Sequence, residues 1–515
     1  MLDESKSPGE KASANQTRQI GLSIATQQPI RLAIEKGRAA GADFVEVFIE
    51  DTESEEISGV GGKASNWING RLRGAGVRLL YGRDAYFVST HDLSEAGLGR
   101  AVEHAAAAAA AASAASDTKT SGGHLGSTKS SSQSPSGQSG SPIEATSSKW
   151  PKLELPRYDL MLPPTPPSLL GPSRLRLLKR LDQAARSKSS SVTQVESLLL
   201  WKRQRVLIAN SENLWVEDER PYVRVGVTVT VEDSGQRESA YARLGALASA
   251  EWFESVDMEA LAIQATERAL LMLKADYAPA GEMPVVIDAG FGGVIFHEAC
   301  GHGLETTSVA KGASVFCGKL GEKVAMDCVT AIDDGTLQGG WGSLGCDDEG
   351  RATERTVLIE NGILKSYMVD RVGSLRTGYA CTGSARRESY RFAPTSRMRN
   401  TFIAAGQDSL ESMIADIDDG LYAKEMGGGS VSPGTGDFNF SVVEAYRIRR
   451  GRVEEAVKGA TLVGRGIETL GRITRVGREL RLQDGMCGSV SGTIPAAVGQ
   501  PPITVSRILV GGRTR

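Results

Sequence analysis

Histidine is scarce in this chain, with five among 515 residues. Cysteine is little commoner. The six are Cys300, Cys317, Cys328, Cys346, Cys381 and Cys487. None forms a Cys-x-x-Cys pair, and so few in so long a chain argue against a disulfide framework. No run approaches 18 consecutive apolar residues, so no transmembrane helix is expected. The formal charge of −3 and pI near 6.1, with no long basic block, give no reason to expect nucleic acid or an anionic membrane as partner. The opening "MLDESKSPGEKASANQTRQI" has no apolar signal core, and Asp3 and Glu4 come early. A soluble, cytoplasmic protein is therefore expected. The length allows two or three domains with ample cores.

Residues 1–25 read as a polar tail. An N-terminal α/β domain is expected over 26–116. It opens with an amphipathic helix, "IRLAIEKGRAAGA", followed by the strand "DFVEVFIED", with Val45, Val47 and Ile49 on one face and Phe44 and Phe48 on the other. "GAGVRLLYGRDAYFVST" reads as a hairpin turning at Gly82-Arg83, and an alanine-rich helix follows from Asp92 to about Ser116. Residues 117–149 are Ser, Gly, Thr and Pro without apolar period, and are expected to be a disordered insertion. A central α/β domain is expected over 150–278. There Val223, Val225, Val227, Val229 and Val231 recur at every second residue, as in a strand, and 255–275 reads as a long helix. Residues 279–515 read as a β-rich domain with hairpins at Asn361-Gly362 and Arg450-Gly451. The fold class expected is α+β: a mixed N-terminal α/β region, then a mainly β C-terminal domain carrying one chemically unusual helix.

That helix contains "VIFHEACGHGLE", residues 294–305, with His297, Glu298 and His302 in the order His-Glu-x-x-x-His. With histidine at about one residue in a hundred, chance yields this pattern roughly 10⁻³ to 10⁻² times in such a chain, so it is a signal. The familiar zinc-peptidase spacing is one residue shorter. On a regular helix His297 and His302 stand about 140° apart, too far to share one ion easily. A bulge or break between them removes the objection, and Gly301 and Gly303 ease it. Neutral imidazole suits zinc, a catalytic zinc keeps three protein ligands, and the adjacent Glu298 is the natural base. Residue geometry leaves the third ligand open among Cys300, Glu305 and Cys487. Cys300 points away from His302 and reads as a buried core residue. Glu305 shares the face of Glu298 and His302. Cys487 lies in the glycine-rich "QDGMCGSVSG", which suggests a loop. Two other charged stretches read more blandly: "DDEG" (347–350) as a solvated turn, and Arg386, Arg387 and Glu388 as a surface charge cluster or a carboxylate-binding group.

The blocks "HEACGHGLE", "GKLGEKVA", "DDEGRATERTVLIENGILKSYMVDR", "ARRESYR", "GLYAKEMGGGSV", "KGATLVGRG" and "MCGSVSGTIPAAVGQPPITVSRILVGG" resemble those of the TldD/PmbA family, in the same order. The resemblance is to the TldD-like peptidase branch, since the PmbA/TldE-like branch lacks the His-Glu-x-x-x-His motif. It implies one Zn²⁺ per chain held by His297, His302 and Cys487, with Glu298 as catalytic base. It further implies peptides or unfolded segments as substrates, and a homodimer or a heterodimer with a PmbA/TldE-like subunit. The chain departs from the family pattern at "TGSARRESYR", Ser432 and Ser489, none of them among these ligands. The alternatives are a non-catalytic, zinc-containing scaffold resembling a DNA gyrase modulator, and a zinc amidohydrolase acting on non-peptide amides.

Overall fold

A computed structural model describes residues 27–120, 172–432 and 434–512. The 1–25 tail lies outside these residues, as does the 117–149 stretch apart from 117–120, which close a helix.

The first layer is one antiparallel sheet. Its strands are β1 (Phe44–Val60), β2 (Lys63–Tyr81), β3 (Asp84–Thr90), β4 (Val192–Asn210), β5 (Trp215–Asp233) and β6 (Gln236–Leu247), in the order β3-β2-β1-β4-β5-β6. Strands from the N-terminal and the central stretches share this sheet, joined where β1 pairs with β4 from Glu46↔Asn210 to Val60↔Glu196. Tight turns set the register of its hairpins. Gly82 has φ 58° between β2 and β3, and Ser234-Gly235 have φ 51° and 78° between β5 and β6.

Both faces of this sheet are covered, as alternation requires. Val45, Val47 and Ile49 of β1 pack under α1 (Gln27–Ala39) and α2 (Glu95–Thr120). The odd valines Val223 to Val231 of β5 pack under α3 (Pro172–Lys188) and α5 (Met258–Lys274), which follows the short α4 (Trp252–Ser255). Asp257 caps α5 by accepting from the Ala260 amide at 2.8 Å. Phe48, Val206, Ile208 and Val216 point to the opposite face, where they meet Cys346 and Tyr390 of the C-terminal part.

That contact is also ionic. Arg387 and Glu46, both fully buried, pair at 2.6 Å. Arg78 bridges Glu46 at 2.7 Å and Glu349 at 2.8 Å, and Arg220 reaches Asp348 at 2.7 Å. "DDEG" is therefore not a solvated turn: Asp347 and Asp348 are each 1 % exposed. Asp347 accepts from the amides of Glu349, Arg351 and Ala385. Arg386 and Arg387 likewise do not form a surface cluster. Arg386 donates to the carbonyls of Met398 and Pro495. A carboxylate brought to this buried face needs a cation or several amides, and the opposing sheet supplies the cations.

The C-terminal part is β-rich, so the fold is α+β. One sheet runs Ile363–Leu364, Arg355–Glu360, Ala331–Asp334, Asn400–Ile403, Gly492–Gln500, Arg481–Ser489. In a second, Asp419–Ser432, Gly281–Ile287, Ile503–Gly511, Ala460–Arg465 and Asp437–Arg449 pair in that order. The last pairs back with the first, closing a ring. The helix α6 (Val294–Ala299) sits in the core between these sheets.

Candidate metal centre

The chain leaves strand Gly281–Ile287 at Asp288, whose carboxylate accepts from Tyr422 Oη at 2.7 Å. Gly290, at φ 97°, turns it into the helical segment. A β-carbon on Gly293 would lie 2.3 Å from the Gly499 carbonyl oxygen, so only glycine lets the start of α6 rest on strand Gly492–Gln500. That strand pairs with Arg481–Ser489, the strand carrying Cys487. Cys487 therefore stands on a strand rather than in a loop.

The helix α6 buries Val294, Ile295, Phe296, His297 and Ala299. It ends at Cys300, whose φ −127° and ψ −48° leave the helical region, and Gly301–Leu304 continue as a 3₁₀ turn. The expected interruption between His297 and His302 takes this form, a break rather than a π-bulge. Gly301 packs closely on Met398: a β-carbon there would lie 2.2 Å from the Met398 sulfur, so that side chain would have to shift.

The break brings the two imidazoles together across about 190 residues of chain from Cys487. His297 Nε2 and His302 Nε2 each lie 3.3 Å from Cys487 Sγ. One ligand atom from each of the three residues falls within 4.8 Å of the others. His297 Nδ1 is enclosed and has no hydrogen-bond partner, so Nε2 alone is committed to the cluster. Of the candidates for a third ligand, Cys300 faces the apolar core at 1 % exposure, and burial pushes its thiol up. Glu305, 2 % exposed, turns to His302: its Oε2 lies 3.1 Å from Nδ1. A carboxylate only accepts, so Nδ1 carries a proton toward Glu305 and Nε2 is the atom turned to Cys487. Glu298 is the open carboxylate, 28 % exposed, with Oε2 3.7 Å from His302 Nε2.

The electrostatics favour a soft, anionic donor set. Burial would raise the Cys487 thiol, but His297 and His302 overturn this and hold it down at about 3. Burial opposes a charged His302, and Glu305 with Cys487 more than reverses it, holding the imidazole well above its ordinary range. One sulfur of thiolate character and two imidazole nitrogens converging from buried backbone fit zinc, which takes Cys and His ligands in preference to hard oxygen donors.

Arg397 is a site residue that sequence reasoning misses. It is fully buried, and its Nη2 donates to the Cys487 carbonyl at 2.6 Å. One of the two arginines in "TSRMRN", it carries no spacing signal that could single it out.

Comparison with known proteins agrees along most of the chain. Residues 45–109 match PmbA/TldA metallopeptidase domain 1, 164–273 the central domain and 280–512 the C-terminal domain. A metalloprotease TldD homologue of Haemophilus influenzae is 42 % identical over 352 residues, 67 % of this chain and 73 % of the relative. A zinc metalloprotease TldD homologue of Saccharolobus solfataricus is 33 % identical over 262 residues, 50 % of this chain and 58 % of the relative. TldE from Thermococcus kodakarensis shares the fold at TM-score 0.68 and 20 % identity, covering 94 % of this chain and 100 % of its own. A Thermotoga maritima protein described as a modulator of a DNA gyrase shares it at 0.69 and 17 %, covering 94 % and 100 %. The chain belongs to the PmbA/TldD metallopeptidase family.

Proposed function

We propose that this protein is a zinc-dependent peptidase that hydrolyses peptides or unfolded protein segments. The observation carrying the proposal is the convergence of His297, His302 and Cys487, two segments far apart in sequence, on one point beside an open carboxylate. These three residues would hold one zinc per chain. The metal, when bound, supplies a Lewis acid that polarises the scissile carbonyl and eases deprotonation of water. Glu298 accepts that proton at a carboxylate oxygen and returns it to the leaving amine. Glu305 is committed to His302 Nδ1 and is not free for this role. It fixes the imidazole so that Nε2 faces the centre. A pure scaffold gains nothing from a base beside its ligands, so Glu298 favours hydrolysis over the gyrase-modulator reading.

The assembly proposed is a homodimer, or a heterodimer with a PmbA/TldE-like subunit, in the cytoplasm. Among the described residues no helix is long and apolar enough to cross a membrane. The test is turnover of a fluorogenic unfolded-peptide mixture by the purified protein, alone and with a TldE-like partner. Chelation should abolish cleavage and added zinc should restore it. Cleavage that survives complete metal removal contradicts the proposal.

A further inference from the structure

Three of the fully buried arginines differ in how they are neutralised. Arg387 has a carboxylate at 2.6 Å and Arg399 has one at 2.7 Å. Arg397, also 0 % exposed, faces Glu305 Oε1 across 4.0 Å from its Nε. Neither of those two atoms has a hydrogen-bond partner, although both are enclosed. The rest of the guanidinium is spent on neutral oxygens. Nη2 donates to the Cys487 carbonyl at 2.6 Å, and Nη1 to Ser491 Oγ at 2.9 Å and the Gly492 carbonyl at 3.0 Å. A buried cation held this way is expensive for stability, because desolvation is not offset by a close counter-ion.

Its contacts divide in an informative way. One edge faces Glu305, which holds His302 Nδ1 at 3.1 Å. The other holds the backbone of Cys487 and of the turn at Ser491–Gly492 that joins its strand to the next. Arg397 itself lies just before strand Asn400–Ile403, so it belongs to neither ligand segment. Only a planar fork with five donors can serve both sides at once; a lysine ammonium cannot span them.

We infer that Arg397 is a positioning residue that couples the two halves of the metal centre, setting His302 through Glu305 and Cys487 through its carbonyl. This rests on the reading that His302 and Cys487 hold the metal. The coupling makes the ligand geometry depend on a residue that touches no ligand side chain.

The test is the zinc affinity of the full-length protein, measured by competition with a chromophoric chelator. It is paired with the visible spectrum of the cobalt-substituted protein, whose thiolate charge-transfer band reports the Cys487 bond. Arg397→Lys and Glu305→Gln should each weaken zinc binding by about 10- to 100-fold, the range for residues that orient ligands. They should shift the cobalt spectrum, and the double variant should lose much less than the product of the two. Glu305→Gln keeps the volume of the side chain and reports the His302 side; if Arg397→Lys does not fold, Arg397→Gln, which removes the buried charge, takes its place. Affinity within twofold of wild type and an unchanged cobalt spectrum in these variants, with zinc lost in His302→Ala and Cys487→Ala, overturns the coupling while leaving the metal centre intact. Zinc retained by His302→Ala and Cys487→Ala overturns the metal reading and the coupling with it.

Discussion

The N-terminal sheet and the metal centre are built by opposite means. The sheet consists of long strands, most joined to their neighbours by tight turns, with β-branched residues alternating in plain sight. Its stability rests on buried apolar area, and single side chains there are interchangeable parts of a large sum. The proposed metal centre draws on α6, a 3₁₀ turn and a strand about 190 residues later, and each contributes one candidate ligand atom. Damage to the first should appear as lost stability with chemistry intact. Damage to the second should appear as lost chemistry with stability intact.

The sharpest separation comes from Glu298→Gln. Removing the proposed general base should cost about 10²- to 10⁴-fold in kcat, while zinc content and the thermal midpoint stay at wild-type values. A drop in zinc content would move Glu298 from base to ligand. In the sheet, Leu199→Ala removes a fully buried side chain from β4 and should cost about 2–5 kcal/mol in denaturant unfolding. Zinc per folded molecule should not change; a change would mean that the two regions are not independent.

Arg387→Met probes the join between them. It strips one cation from fully buried Glu46, and a broken buried pair costs about 3–5 kcal/mol. The low end is expected because Arg78 still faces Glu46. Unfolding that separates into two transitions would show that the ionic layer couples the parts. The smallest effect belongs to Gly235→Ala. The position has φ 78° with open space around it, so the cost is backbone strain alone, about 1–2 kcal/mol. A neutral result would mean that the β5–β6 turn relaxes freely.

What can be read from the sequence follows the same division. The Val223–Val231 alternation, the turn at Gly82-Arg83 and the hairpins at Asn361-Gly362 and Arg450-Gly451 are local signals, and the structure has strands and turns there. Glycine in "HEACGHG" marks where the helix breaks, because an imidazole pair at this spacing cannot converge on a regular helix. The pairing of β1 with β4 is hidden, since nothing local records which strands meet across a long intervening stretch. "DDEG" looks solvated because its charges are visible in sequence and their partners Arg78 and Arg220 are not. Cys487 reads as a loop residue because its flanking glycines resemble one; they lie in a strand instead. Arg397 is invisible for the reason it matters, as its meaning lies wholly in distant contacts, with Cys487, Ser491, Gly492 and Glu305.

The central claim is that His297, His302 and Cys487 form one zinc site. The most direct test is elemental analysis of the purified wild type and Cys487→Ala side by side. The account predicts about one zinc per chain in the wild type, and its loss in a variant that keeps the wild-type fold by circular dichroism. Zinc retained at the wild-type level in folded Cys487→Ala would contradict it.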